Sequence, residues 1–346
     1  MPSSVHLIPR KRLGWIPRHL RLAHEYCFFL HDESTRLLVE YEAAEAHVVS
    51  VHFRNEAEAN AFNDYANKEG AISAMRVGGY KAEARRVILN QITIAMVSDC
   101  QHHIYEALRC LEKRKVIVAL NLLRKPLTDS LLYLSWMLGD EEEFYHAFST
   151  KSPRGITSSI LKGRRAEILT SALSKTEVAD VLNAEFIDRT LFELANPSGF
   201  QELFQHAVHL VTVQRVELQT SPENFNFIFK SPTDDDLYEA VYEVLPHVLL
   251  YLSHVILGLF ERMAAPEAGG RSAFNVRSIL GLYLVEGDEN EAHALERLVG
   301  LTRVQCPDCG SALKITPHNA ARLVLGESYR CTQCRRIQPF PFSWLF

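Results

Sequence analysis

From Lys81 onward the apolar side chains fall at helical spacing. Val87, Ile88, Ile92, Ile94, Ala95 and Val97 continue into Ile104, Leu108 and Leu111, a stripe that predicts one long amphipathic helix. The stretch from Lys115 to Leu138 is apolar around most of its circumference, the mark of a helix at the centre of a bundle. Pro126 removes a backbone hydrogen bond inside it and predicts a kink or a break. Residues 155–195 predict two further helices, the second opened by Thr176, and Phe200–Leu218 another after the Asn196-Pro197-Ser198-Gly199 break. Gln219–Thr233, with Pro222, Pro232 and the aromatic run Phe225–Phe229, predicts a loop over the bundle. The acids at Asp234–Asp236 open a last long helix reaching Met263.

Before Lys81 the pattern weakens. Residues 1–34 read as an irregular basic arm. Arg36–Tyr41 and His47–Phe53 alternate as two short strands would, but Glu42–Ala46 between them suits one continuous helix equally well, and periodicity does not decide. Asn55 caps a polar helix that ends near Gly70. The expected organisation is an arm with a short α/β segment over 1–80, a helical bundle over 81–263, a linker (Ala264–Gly270) with amphipathic elements over 264–303, and a separate small module over 304–346. The fold class is mainly α with a small β module at the end.

That module carries the one chemically specific signal. Cys306-Pro307-Asp308-Cys309 is answered by Cys331-Thr332-Gln333-Cys334, two CxxC turns with 21 residues between them. Each turn can present two thiolates to one ion, and four close a tetrahedral site with no open position. Ala312–Thr316 and Glu327–Arg330 are expected to pair as strands, covered by the aromatic Pro339–Phe346. CPDCG followed by YRCTQC resembles the zinc-ribbon and rubredoxin-like knuckle family, which implies a structural Zn2+ held by Cys306, Cys309, Cys331 and Cys334. Iron in the same cage would imply redox work for which nothing else in the chain argues.

At 346 residues and 47% hydrophobic, the chain can bury a substantial core with an appendage. Four of its seven cysteines sit in the knuckles; Cys27, Cys100 and Cys110 lie in apolar runs and read as small buried hydrophobes. Free thiols beside a thiolate metal site predict a reducing compartment, hence the cytoplasm. The start lacks the apolar stretch of a secretory signal, and Val248–Phe260 is shorter than the ~20 residues a bilayer needs, so no membrane partner is expected. The net charge of −5 is uneven. Arg10, Lys11, Arg12, Arg18 and Arg21 make residues 1–24 purely basic, and residues 301–346 set six basic side chains against Asp308 and Glu327. Basic ends on an acidic body fit a contact with RNA or DNA, through Arg322, Arg330, Arg335 and Arg336 on the ribbon, and fit an ordinary solvated surface as well.

Two polar stripes interrupt apolar helices. Glu202, His206 and His209 share a narrow arc, and Glu239, Glu243, His247 and His254 make a similar line on a later helix. Such sets bind metals or move protons, but no HExxH or paired ExxH pattern appears, so they read as hydrogen-bonded seams inside the bundle that could face each other. Arg124 and Asp129 within the most apolar helix predict a structural ion pair. No Walker lysine loop, GxGxxG after a strand or GxSxG elbow is present, which argues against phosphate cradles and serine hydrolases.

LNLLRKPLTDSLLYLSWML and the later FQHAVHLVTV, within Val87–His254, resemble the HEPN helical bundles. That class includes RNA-cleaving toxins, defence proteins and non-catalytic partners of nucleotidyltransferases. Its catalytic members place an Arg and then a His on one helix with four to six residues between them. Here the spacing occurs at Arg12/His19 and Arg18/His24, in the proline-broken start and outside the expected bundle, and not before His206, His209, His247 or His254. The expected function is a non-catalytic binding or regulatory protein with a structural zinc ribbon, associated with nucleic acid. The alternatives are a HEPN-type ribonuclease or other hydrolase using the histidine seam, and a structural protein whose ribbon contacts a protein partner or another copy of itself.

Overall fold

The most deeply buried long helix among the described residues is α11, Asp236–Phe260. In the computed structural model, which describes residues 4–196, 198–209, 211, 222–223, 235–287, 295 and 304–345, it is long and apolar enough to cross a membrane. Yet 83% of its most apolar window is buried inside the protein. Its apolarity therefore serves the core. The chain is mainly α, with one two-stranded antiparallel sheet near its end.

Helix α1, Arg21–Ala43, packs along α11 and against α4, Lys81–Leu111. Leu22, Tyr26, Phe29, Leu30, Leu37 and Tyr41 recur at three- and four-residue intervals and all are buried, which fixes the segment as one helix. This corrects one expectation and decides another. Residues 21–34 are not an irregular arm, and of the two readings left open the helix holds over Arg36–Tyr41, while 47–53 forms no strand. The N-terminal part is therefore α rather than α/β: α2, Glu56–Glu69, is capped by the Asn55 side chain on the Glu58 amide and stopped by Gly70 at φ +86°, and α3, Ala71–Val77, follows.

Helix α5, Val116–Lys125, packs against α4 and runs into α6, Leu131–Gly139, through a single π turn at Pro126–Ser130. The proline's missing N–H is absorbed by widening one turn, and Thr128 donates to the Arg124 carbonyl at 2.6 Å. Arg124 and Asp129 are both exposed, so the expected buried pair does not form. Helix α7, Glu141–Thr150, follows. Helix α8, Arg165–Leu173, lies against α6, close enough at Gly139 that an added Cβ would come within 3.1 Å of the Ala172 amide. Ser171 and Lys175 donate to the Gly139 carbonyl and close the end of α6.

Helix α9, Ala184–Phe192, opens on Asn183 and not on Thr176; the Asn183 side chain accepts from Glu185 at 2.8 Å, whereas Thr176 lies in a turn. Helix α10, Phe200–Val208, packs on α9 and α5 and ends ten residues before the expected Leu218. The predicted loop at 219–233 lies almost wholly outside the described residues, as does 288–303 apart from Leu295.

Helix α12, Ala268–Glu286, carries the terminal module onto α1 and α11. Gly269 and Gly270 form its first turn rather than a linker. At the centre of this junction Arg277 of α12 is buried. It donates to Val324 O at 2.7 Å, pairs with Glu33 of α1 at 3.0 Å and lies over the Phe29 ring.

Candidate metal centre

The terminal module is built as knuckle, helix, strand, knuckle, strand. Thr316 caps α13, Pro317–Gly326, by accepting from the Asn319 amide, with Pro317 in the first turn. Ala312–Thr316, expected to pair as a strand, stays extended ahead of the helix and pairs only through an isolated bridge of Ala312 with Gln305. The sheet instead joins β1, Ser328–Arg330, to β2, Ile337–Pro339, with Tyr329 opposite Gln338. Asn319 locks helix to strand, donating to Lys314 O and Arg330 O and accepting from the Arg330 amide.

The two knuckles share one hydrogen-bond pattern. Cys306 N donates to Ser311 O and Gly310 N to Cys306 O; Cys331 N donates to Arg336 O and Arg335 N to Cys331 O. In both, the residue after the second cysteine adopts a left-handed conformation, Gly310 at φ +69° and Arg335 at φ +65°. The repeat aims all four sulfurs inward, with their ligand atoms within 4.8 Å of one another. Cys306 and Cys334 are 3.7 Å apart and Cys309 and Cys331 3.6 Å. A tetrahedron with metal–sulfur bonds of ~2.3 Å has edges of about 3.8 Å, so the spacing fits one ion.

The protonation chemistry points the same way. The Ser311 hydroxyl, 3.1 Å from Cys309 Sγ, and then the Ser311 amide bring the Cys309 thiol down to about 6. Hydrogen bonding from the Cys334 and Gln333 amides lowers Cys331 as well. The Arg336 amide favours the Cys334 thiolate, yet burial and the neighbouring sulfurs push that thiol up to about 12. Four thiolates this close repel one another, and a bound cation removes that conflict. Asp308 bridges the knuckles by accepting from Arg336 at 2.9 Å and from Gln338. Among the described residues this is the one group of three or more Cys, His, Asp or Glu side chains placed to share an ion.

No family model, curated protein or solved structure matches the chain.

The other expected sites fare differently. Arg330, Arg335 and Arg336 are exposed on the ribbon, but Arg322 is buried. Its guanidinium donates to Val5 O at 2.6 Å and Ser328 Oγ at 3.0 Å, clamping the start of the chain to the ribbon. It is a strut, because α13 turns that face inward. The histidine stripes do not converge. Glu202 and His206 lie 3.9 Å apart on α10, and His209 is exposed just past its end, so the three do not share one helical face. Helix α10 packs on α5 and α9, whereas α11 packs on α1, α6 and α12, so the two stripes do not face each other. His247 pairs with Glu286 at 2.8 Å, and His254 meets Ser278 Oγ at 2.9 Å. Ser278 already donates to Asn275 O, so His254 is the donor to it through Nε2–H.

A buried polar node has no counterpart among the sequence motifs. Glu112, at the end of α4, takes hydrogen bonds from Arg12 at 2.6 Å and Arg109 at 2.8 Å. His24 of α1 stands 3.5 Å from it and shares a hydrogen bond with the Tyr242 hydroxyl of α11. Burial opposes the Glu112 charge, yet the His24 and Arg12 hydrogen bonds outweigh it and hold the carboxyl below its usual range. Burial lowers His24. His24 thus lies inside the bundle and not outside it, while Arg18, its partner at the nuclease spacing, is exposed. No local signal could have revealed the node, because its members come from four separate segments.

Proposed function

We propose that the chain is a non-catalytic binding protein whose four-cysteine cage holds one structural zinc ion and whose ribbon end contacts nucleic acid. The observation that carries this is the closed cage: four sulfur donors at tetrahedral spacing leave no position for water or substrate, so the ion cross-links and does not catalyse. Zinc suits a redox-silent cross-link better than iron. The placement of Glu202 and His206 on α10, apart from His247 and His254 on α11, supports a binding role over hydrolysis. The exposed Arg330, Arg335 and Arg336 supply charge complementary to phosphates. The test is fluorescence anisotropy with labelled single-stranded RNA across a salt series, run beside metal analysis. Expected are about one zinc per chain and an affinity that falls steeply with salt. A zinc-loaded protein that ignores RNA and DNA at low salt would instead identify the ribbon as a protein-contact module.

A further inference from the structure

The sequence places its two basic segments at opposite ends of the chain, and the fold brings them together. Val5 and His6 lie against the ribbon because Arg322 holds Val5 O at 2.6 Å, while the buried Glu25 carboxylate of α1 accepts from the Val5 amide at 2.7 Å and the Ile8 amide at 3.3 Å. The exposed His6 ring then stands 6.5 Å from the ring of His318 on α13. Arg10 donates to His6, and Arg330 reaches across the second knuckle to Arg335 O at 3.1 Å. The charges acting most strongly on His6 are Arg10, Arg322 and Arg330; on His318 they are Arg322, His6 and Arg330. Every one of them is basic.

We propose that His6, Arg10, His318, Arg330 and Arg335 form one composite site for the phosphodiester backbone of single-stranded nucleic acid, half of it supplied by the arm and half by the ribbon. This deepens the nucleic-acid reading above and rests on it. Two observations beyond the charge support it. Trp15, five residues after Arg10 in the basic arm, is 69% exposed and leaves a ring face open for a base to stack on. Exposed aromatics beside a basic track are the stacking platforms of single-strand binders. Arg335 also keeps a left-handed backbone at the position where the first knuckle uses Gly310. Its side chain is exposed, so the guanidinium is open to a phosphate.

The probe is a labelled oligouridylate, with its deoxy counterpart and a duplex of equal length as separate arms. Arg10→Ala with Arg330→Ala should lower the salt slope on the single strand by about 1.4, about 0.7 for each phosphate that is no longer neutralised. Trp15→Ala should weaken single-strand binding at least about fivefold and leave any duplex binding unmoved. Arg10→Lys should restore most of the slope that Arg10→Ala removes, and Arg76→Ala, an exposed arginine on α3, should change nothing. Thermal melts confirm that each variant is folded. If wild type binds but only the Arg335→Ala/Arg336→Ala change weakens it, the composite site is wrong while the nucleic-acid reading survives. If Arg76→Ala weakens binding as much as Arg10→Ala, the interaction is general charge attraction and the site is likewise wrong. If wild type binds no nucleic acid at low salt, both fall.

Discussion

In the ribbon, four sulfurs from two short turns meet within 4.8 Å; at the start of α1, Glu112 is met by Arg12, Arg109 and His24 and is linked through His24 to Tyr242. Both join segments far apart in the chain, by different physics. With an ion bound, as proposed above, the cage would draw its strength from that ion, whose apparent binding energy of ~10 kcal/mol or more would become folding energy for the ribbon. The node uses charges that must first be desolvated, so its net contribution is small although removing one partner is expensive. The cage should therefore fail as a unit when the metal leaves. The node should fail by degrees, according to which partner is removed and how much water can reach the rest.

The largest expected effect comes from breaking the cage. Cys331→Ser should abolish metal binding and remove hydrogen-exchange protection from residues 304–345. The helices around α11 should keep theirs, because Leu120, Leu245, Val248 and Phe260 are buried without help from the ribbon. Chelation of wild type at neutral pH should reproduce the pattern; Val5 should lose its tie to Arg322, while Glu25 of α1 should keep the Val5 and Ile8 amides protected. Simultaneous melting of ribbon and bundle would show that the cage stabilises the whole fold, and the comparison would fail.

Breaking the node comes next. Glu112→Ala leaves Arg12 and Arg109 without their shared carboxylate. Removing one partner of a buried ion pair costs about 3–5 kcal/mol. Both arginines keep roughly a quarter of their side-chain surface in water, so the lower end of that range is expected. Urea denaturation measures it. A destabilisation under about 0.5 kcal/mol, typical of an exposed pair, would mean that the node is solvated.

The two junctions also differ in how far the sequence disclosed them. A CxxC turn brings two ligands together within four residues, so the cage could be read from spacing alone. The node could not, since Arg12, His24, Glu112 and Tyr242 become neighbours only when the arm, α1, α4 and α11 pack. The long helices α4 and α11 were legible because burial on one or all faces imposes a period. Helix α1 was only partly so, because buried polar residues (His24, Glu25, Glu33 and Ser34) sit inside its apolar stripe and blur the pattern. The strand pairing in the ribbon was misread because β1 takes its partner from Ile337–Pro339, just past the second knuckle, and not from Ala312–Thr316 before the helix. Arg322 looked like a surface cation because sequence shows charge and not which face of α13 turns inward.

Acid should separate the regions further. His254, buried in α11, has its pKa pushed down to about 3 by desolvation, against about 6.5 in an unfolded chain. Between those values the unfolded state binds the extra proton. The stabilisation from neutral His254 is therefore complete above pH 6.5 and is lost progressively as the pH falls toward 3. By pH 5.5 the loss should be about 1.4 kcal/mol. His254→Gln, which can still donate to Ser278, should flatten the acid limb by that amount relative to wild type. The cage is common to both proteins and cancels in the difference. Parallel acid limbs would show that His254 titrates alike in both states.

The smallest effect sharpens the cage side. Arg335 holds φ at +65° where the matching knuckle has a glycine, and a side chain in that region costs roughly 1–2 kcal/mol. Glycine loses more backbone entropy on folding, by about 0.5–1 kcal/mol, so Arg335→Gly should gain 1 kcal/mol or so at most. The gain should appear as slower metal loss to a chelator and later melting of residues 304–345, with the bundle unmoved. If Arg335 is kept for its charge, the same variant should bind oligouridylate less well, so stability and affinity move in opposite directions. Arg335→Asn tests the division, since asparagine tolerates the left-handed region but carries no charge. It should recover part of the stability gain and none of the affinity. Tighter binding by Arg335→Gly would show that the arginine is neither strained nor in contact with phosphate.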